Sequence, residues 1–177
     1  DTLLLILDDS KKQKRGKHMQ AVGWIKDPLT KRTVKGHQFL MATVSLKGYT
    51  IPFGIRLYIK KEHCKSLNQP FKKITQMAAE LIKECEPPEG VQVRVLFDSY
   101  YLCPVVVKAC RKKGFHFVST LKSNRNLYKQ SRKLKAGSYG RNIHKRLSKK
   151  TLRLKKDHKT VEYRYVDVGW LKVSDLG

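Results

Sequence analysis

Two short apolar runs in this chain each lead directly into an aspartate: Leu3 to Leu7 (LLLIL) into Asp8, and Val91 to Phe97 (VQVRVLF) into Asp98. A run of this kind predicts a central strand in a covered sheet. An acid one residue past such a strand lies at its carboxyl end, where open α/β sheets assemble their sites. One aspartate placed there also serves as the cap of a following turn or helix. Two of them on neighbouring strands bring two carboxylates within reach of the same cations. The pair therefore points to a metal site.

The rest of the chain supplies the elements around those strands. Ser10 to His18 (SKKQKRGKH) reads as a basic loop, followed by a polar stretch with Pro28 and Gly36. Gln38 to Leu46 and Ile51 to Ile59 read as strands joined by a hairpin-sized Lys47-Gly48-Tyr49, with Pro52 suited to a strand start or edge. Phe71, Ile74, Met77, Ala78, Leu81, Ile82 and Cys85 recur at helical spacing. Asn68 is the expected N-cap of that helix, Pro70 suits its first turn, and Pro87-Pro88 ends it. A second helix is predicted over 104–113, closed by Gly114, and a strand over 115–121. Three strands, then helix, strand, helix, strand predict an antiparallel meander followed by parallel strands. That order is the one of a ribonuclease H-like α/β fold, a mixed five-stranded sheet flanked by helices. Its first strand lies beside its fourth, so Asp8 and Asp98 would end adjacent strands.

Charge narrows the partner. The 177 residues hold 39 Lys+Arg against 14 Asp+Glu, a formal net charge of +25. Such an excess repels itself unless a polyanion balances it, and nucleic-acid phosphates are the first candidate. No apolar stretch is long enough to span a membrane. Fifteen of the cationic residues lie between Lys122 and Lys159, with Asp157 as the single acid there. Gly137, Ser138 and Gly140 are interspersed with Leu134, Ile143, Leu147, Leu152 and Leu154, and Val161 to Val168 alternates like a strand. This region reads as an insertion, part loop and part β, with a cationic surface. Two domains are expected: a ribonuclease H-like core over 1–121 and a basic insertion region over 122–177. Cys64, Cys85, Cys103 and Cys110 contain no C-x-x-C spacing, which argues against zinc; Cys85 and Cys110 fall on apolar helix faces as small hydrophobes. The six histidines show no ligand spacing. Trp24 and Trp170 are expected in the core or in strands. The start, DTLLLILDD, lacks a basic lead-in and reads as a chain beginning inside a fold.

Paired carboxylates at strand ends suit two Mg²⁺ or Mn²⁺ ions, which prefer all-oxygen ligands and assist phosphodiester chemistry. LLLILDDSKKQKRGKH, TVKGHQFLMATVSL and VLFDSYYLCPVVVKACRKKGFHFVSTLKSNRN together resemble the DDE transposase domain of bacterial insertion sequences. The most specific parts are the strand into Asp-x-Ser and the strand into Asp-Ser-x-Tyr. The resemblance covers nearly the whole chain. It implies metal-dependent cleavage and strand transfer of DNA, with Asp8 and Asp98 as catalytic and metal-binding acids and Ser10 as the hydroxyl residue two positions on. It also implies DNA as partner, transposon ends and target alike, a homodimer in the synaptic complex, and a bacterial, cytoplasmic, nucleoid-associated protein.

The candidate DNA-binding residues are Lys11, Lys12, Lys14, Arg15 and Lys17 near the acids, and Asn124, Arg125, Lys129, Arg132 and Lys133 in the basic region. Asp9 competes with Asp8, but the Asp-x-Ser spacing and strand phase favour Asp8. Tyr100 and Tyr101 are expected to pack where strand meets helix, with base stacking as the alternative. The family's third acid is a glutamate on a helix after the insertion. Glu162 lies in a strand-like run, and Asp167 and Asp175 lack helical context. The expectation is that this acid lies beyond Gly177. The alternative reading is a non-catalytic DNA-binding domain from a degenerate or domesticated transposase. A ribosomal or RNA-binding protein fits the composition but not the carboxylate pair.

Overall fold

The central strand of the sheet, β1 (Thr2–Gln13), alternates buried Leu3, Leu5 and Leu7 with half-buried Leu4 and Ile6, so both its faces are apolar. In this computed structural model, which describes residues 1–16, 18–27, 30–146, 150–156, 159–169, 171–174 and 176, the chain divides into two units, Asp1–Thr120 and Leu121–Gly177.

In the first unit β1 is followed by β2 (Gly23–Lys26), β3 (Thr33–Leu46), β4 (Tyr49–Tyr58), a one-turn α1 (Lys61–Cys64), α2 (Ile74–Glu84), β5 (Gln92–Phe97), α3 (Pro104–Lys112) and β6 (His116–Ser119). The sheet runs β2-β3-β1-β5-β6, with β4 also on β3. β1, β5 and β6 are parallel; β3 runs antiparallel to β1 and to β4. The first strand thus lies beside the strand that leads into Asp98, as the ribonuclease H-like reading expects. There are six strands rather than five, because Gly23–Lys26 pairs with the start of β3. That short strand holds Trp24 at an edge, 57% exposed beneath Lys35, and not in the core.

Side-chain alternation separates the two faces of the sheet. Leu5, Leu40, Ala42 and Val95 share a face that is closed to solvent. Gly54, opposite Ala42, shows what closes it: a Cβ there would meet Leu81 Cδ2 of α2 at 2.7 Å. The helix α2 buries Ile74, Met77, Ala78, Leu81 and Ile82, and α3 buries Val106, Val107, Ala109 and Cys110. Each Val, Leu, Ile or Met side chain so buried contributes roughly 1.5–3 kcal/mol. The opposite face carries Ile6, Asp8, Met41, Ile55, Leu96 and Val118, with Ile55 and Val118 more than half exposed.

Three local expectations need correction. The segment after Asp8 is not a loop: β1 continues to Gln13, because the long β3 offers partners as far as Gly36. The helix expected from Phe71 starts at Ile74. Gln76 Oε1 reaches back to the Lys73 N–H at 2.8 Å, which fixes the first turn there, and Phe71 lies outside it against Tyr58. Asn68 is not a cap for that helix. It sits at φ 48° and ends the turn after α1, a left-handed conformation that Asn tolerates. The second helix starts on Pro104 and ends before Gly114 at φ 67°, as its sequence predicts. Lys47 and Gly48, both at positive φ, form the β3–β4 turn.

The second unit comprises β7 (Asn126–Lys129), β8 (Arg132–Lys135), α4 (Ala136–Arg146), β9 (Lys150–Lys156), β10 (Lys159–Tyr165) and β11 (Lys172–Val173). β7 and β8 form a hairpin around Gln130 and Ser131, both at positive φ; β11 adds to β7, and β9 pairs with β10. The strands agree with a partly β region. The helix α4 was not expected, since Gly137 and Gly140 disfavour it. Gly137 sits in a tight approach: a Cβ would lie 3.0 Å from Ser123 Cβ. Lys17, Leu147, Asp157, His158, Trp170 and Asp175 lie outside the described residues.

Candidate active site

Parallel pairing of β1 with β5 ends at Ile6 and Leu96. Asp8 lies two residues further along β1, so alternation returns its side chain to the face of Ile6, and Asp98 lies one residue past the end of β5. Neighbouring strands lie about 4.8 Å apart, which sets the scale of their separation. Both acids line one shallow depression together with Leu96, Val118, Ser119 and Thr120. Asp8 is therefore not at the end of its strand, as the sequence implied. It sits where β5 departs and β1 continues on β3 alone, opposite Met41.

Backbone amides orient both carboxylates. The Asp9 N–H donates to Asp8 Oδ1 at 2.9 Å, and the Tyr100 N–H donates to Asp98 Oδ1 at 2.9 Å. Among the described residues neither Oδ2 accepts a hydrogen bond. Among the described residues neither acid has a Lys, Arg or His nitrogen within salt-bridge distance, although the chain carries 39 Lys and Arg. Both carboxylates are exposed. Their oxygen donor set fits a hard divalent cation such as Mg²⁺ or Mn²⁺. Among the described residues no third His, Cys, Asp or Glu joins them in a metal-ligating cluster. Glu162 lies in β10 opposite Arg153, and Asp167 accepts the Gly169 N–H.

Asp9 faces the other way, on the buried face with Leu40. Its Oδ2 accepts the Gln38 side-chain amide at 2.7 Å, and its Oδ1 lies 3.5 Å from the Tyr101 hydroxyl. The Tyr101 ring is fully buried where strand meets helix, whereas Tyr100 is about half exposed (51%) and packs edge-on against it. Burial raises the Tyr101 phenol above its ordinary value, and the charges of Asp9, Asp98 and Asp8 add to the effect. All three carboxylates thus act on one buried hydroxyl. Gln38 and Ser119, whose hydroxyl donates to the Asp98 carbonyl at 3.1 Å, carry no sequence signal that would single them out.

The expected DNA-binding residues are divided between the two units. Within β1, Ser10 and Lys12 share the face of Asp8, while Lys11 shares that of Asp9. Lys14 and Arg15 follow the strand, and the Lys14 N–H bonds to the Lys35 carbonyl; Lys17 lies outside the described residues. In the second unit Lys129 pairs with Arg132 on one side of the hairpin, and Lys133 pairs with Tyr128 on the other. Lys129 also lies over the Tyr139 ring. Asn124 is exposed, and Arg125 follows it into β7.

A family model described as DDE superfamily endonuclease matches residues 1–174. Among solved structures, the chain is similar to a piggyBac transposase, seen by cryo-electron microscopy in a synaptic complex with hairpin DNA. Identity is 19% and the TM-score 0.46, over 68% of this chain and 23% of that one. The chain spans less than a quarter of that transposase. No curated protein matches.

Proposed function

The chain belongs to the DDE superfamily endonuclease family, and from that membership we propose that it carries the catalytic acids of a DNA transposase that cleaves and joins phosphodiesters. The observation that carries this reading is the placement of Asp8 and Asp98 on one depression, with no cation partner among the described residues. Asp8 and Asp98 would hold two divalent ions, Mg²⁺ or Mn²⁺, which when bound activate the attacking oxygen and stabilise the leaving one. The protein's own residues bind and orient. The amides of Asp9 and Tyr100 fix the carboxylates, and Lys12, on the same face, supplies a phosphate contact for the DNA.

Because no third acid joins the pair among the described residues, residues 1–177 alone are expected to bind DNA without efficient nicking. The same observation supports the second reading, a non-catalytic DNA-binding domain. Mn²⁺ titration followed by electron paramagnetic resonance separates them. The catalytic reading expects Mn²⁺ binding that is lost in both Asp8→Asn and Asp98→Asn. Binding unchanged in both variants would sink it.

A further inference from the structure

We infer that Asp9 and Tyr101 form a positioning pair that sets the spacing between Asp8 and Asp98. The inference rests on the metal reading of those two acids. Asp98 lies on the turn that leads from β5 into α3, outside the strand ladder, so the β1–β5 pairing alone does not hold it. Tyr101 closes that turn, its N–H donating to the Asp98 carbonyl at 3.2 Å. Its side chain then runs beneath the sheet, fully buried, and brings its hydroxyl to Asp9 on β1. Asp9 is held in turn by Gln38 of β3 at 2.7 Å, and its own N–H orients Asp8 at 2.9 Å. A continuous path of buried ring, hydrogen bonds and backbone therefore joins the two carboxylates from behind, on the face opposite the depression.

The path explains why a carboxylate follows Leu3, Leu5 and Leu7 on the covered face of β1. A buried hydroxyl needs an acceptor, and a carboxylate that also accepts from Gln38 offers one with its second oxygen. At 3.5 Å the hydroxyl contact lies at the outer limit of a hydrogen bond, and the shorter Gln38 contact fixes the carboxylate that it meets. Groups that orient metal ligands from behind typically change metal affinity 10–100-fold when removed.

The test is Mn²⁺ affinity by electron paramagnetic resonance on the full chain, with urea unfolding in parallel. Tyr101→Phe keeps the buried ring and removes only the hydroxyl; Asp9→Asn keeps the shape. Each is expected to weaken Mn²⁺ binding 10–100-fold, and the double variant no further than the weaker-binding single. A role in stability alone would move the unfolding midpoint without this non-additive loss of affinity. If Asp8→Asn abolishes binding while Tyr101→Phe and Asp9→Asn bind as the unaltered protein does, the positioning role is overturned and the metal reading stands. If Asp9→Asn abolishes binding as completely as Asp8→Asn, Asp9 is itself a ligand and the positioning role is overturned. If Asp8→Asn binds Mn²⁺ normally, the metal reading fails and this inference with it.

Discussion

Lys11 and Lys12 are adjacent in sequence but should differ sharply in their effect on DNA binding. Strand pairing places Lys12 opposite His37, on the face of Asp8, and Lys11 opposite Gln38, on the face of Asp9. Four residues at about 3.4 Å each put Lys12 roughly 14 Å along the strand from Asp8. That distance exceeds the Debye length of about 8 Å at physiological salt, so on the proposed function Lys12 would act by touching a phosphate and not through a long-range field at the acids. One duplex phosphate contact contributes about −0.9 to the slope of log affinity against log salt. Taken from a 1 M reference, Lys12→Gln should then weaken binding about 15-fold at 50 mM salt and about 4-fold at 200 mM. Lys11→Gln should leave both slope and affinity nearly unchanged. Fluorescence anisotropy of a labelled duplex over a salt series measures both quantities. Equal slopes for the two variants would refute the assignment of faces, and with it the view that DNA lies on the Asp8 side of β1.

Other consequences of the fold can be checked separately. Gly36→Ala would drive a Cβ into the Lys12 carbonyl oxygen and to 2.6 Å from Ile25 Cδ1, so it should destabilise the first unit by about 1–3 kcal/mol in urea unfolding. An unchanged midpoint would mean that the end of β1 is not held against β3. Leu5→Ala, at a side chain closed to solvent on the central strand, should cost about 2.7–5 kcal/mol in the same assay; a loss under about 1 kcal/mol would contradict a packed interior there. The Cys110 thiol is fully buried and raised to about 11 by that burial. The unfolded chain then loses this proton before the folded one. Stability contributed by Cys110 is therefore complete below the ordinary thiol range and falls as pH rises towards about 11, by a total of order 2–3 kcal/mol. Comparing the unfolding midpoints of the unaltered protein and Cys110→Ala at pH 8 and 11 isolates that loss. Parallel declines would exclude Cys110 as its source.

The elements read most reliably from sequence were those whose signal is local. LLLIL and VQVRVLF announce strands because two-sided burial needs continuous apolar residues, and the helical spacing from Ile74 to Cys85 announces a face to be covered. The pairing of Asp8 with Asp98 was legible for the same reason: each ends an apolar run, and strand order follows from connection rules. The exact start of α2 and the helix α4 were not legible. One depends on Gln76 reaching back to Lys73, and the other runs against the poor helix propensity of Gly137 and Gly140. Nor did the basic residues after Asp8 announce a strand, since their backbone bonds come from β3, more than twenty residues away in sequence. By itself the sequence determined which residues must be buried, where two carboxylates fall, and how large the positive charge is, because composition and periodicity act residue by residue. Only the tertiary structure decided that Lys12 and not Lys11 joins the face of Asp8, and that Asp9 turns inward to Tyr101. Those outcomes depend on strand register and on which face the helices cover, and both are set by contacts between residues far apart in the chain.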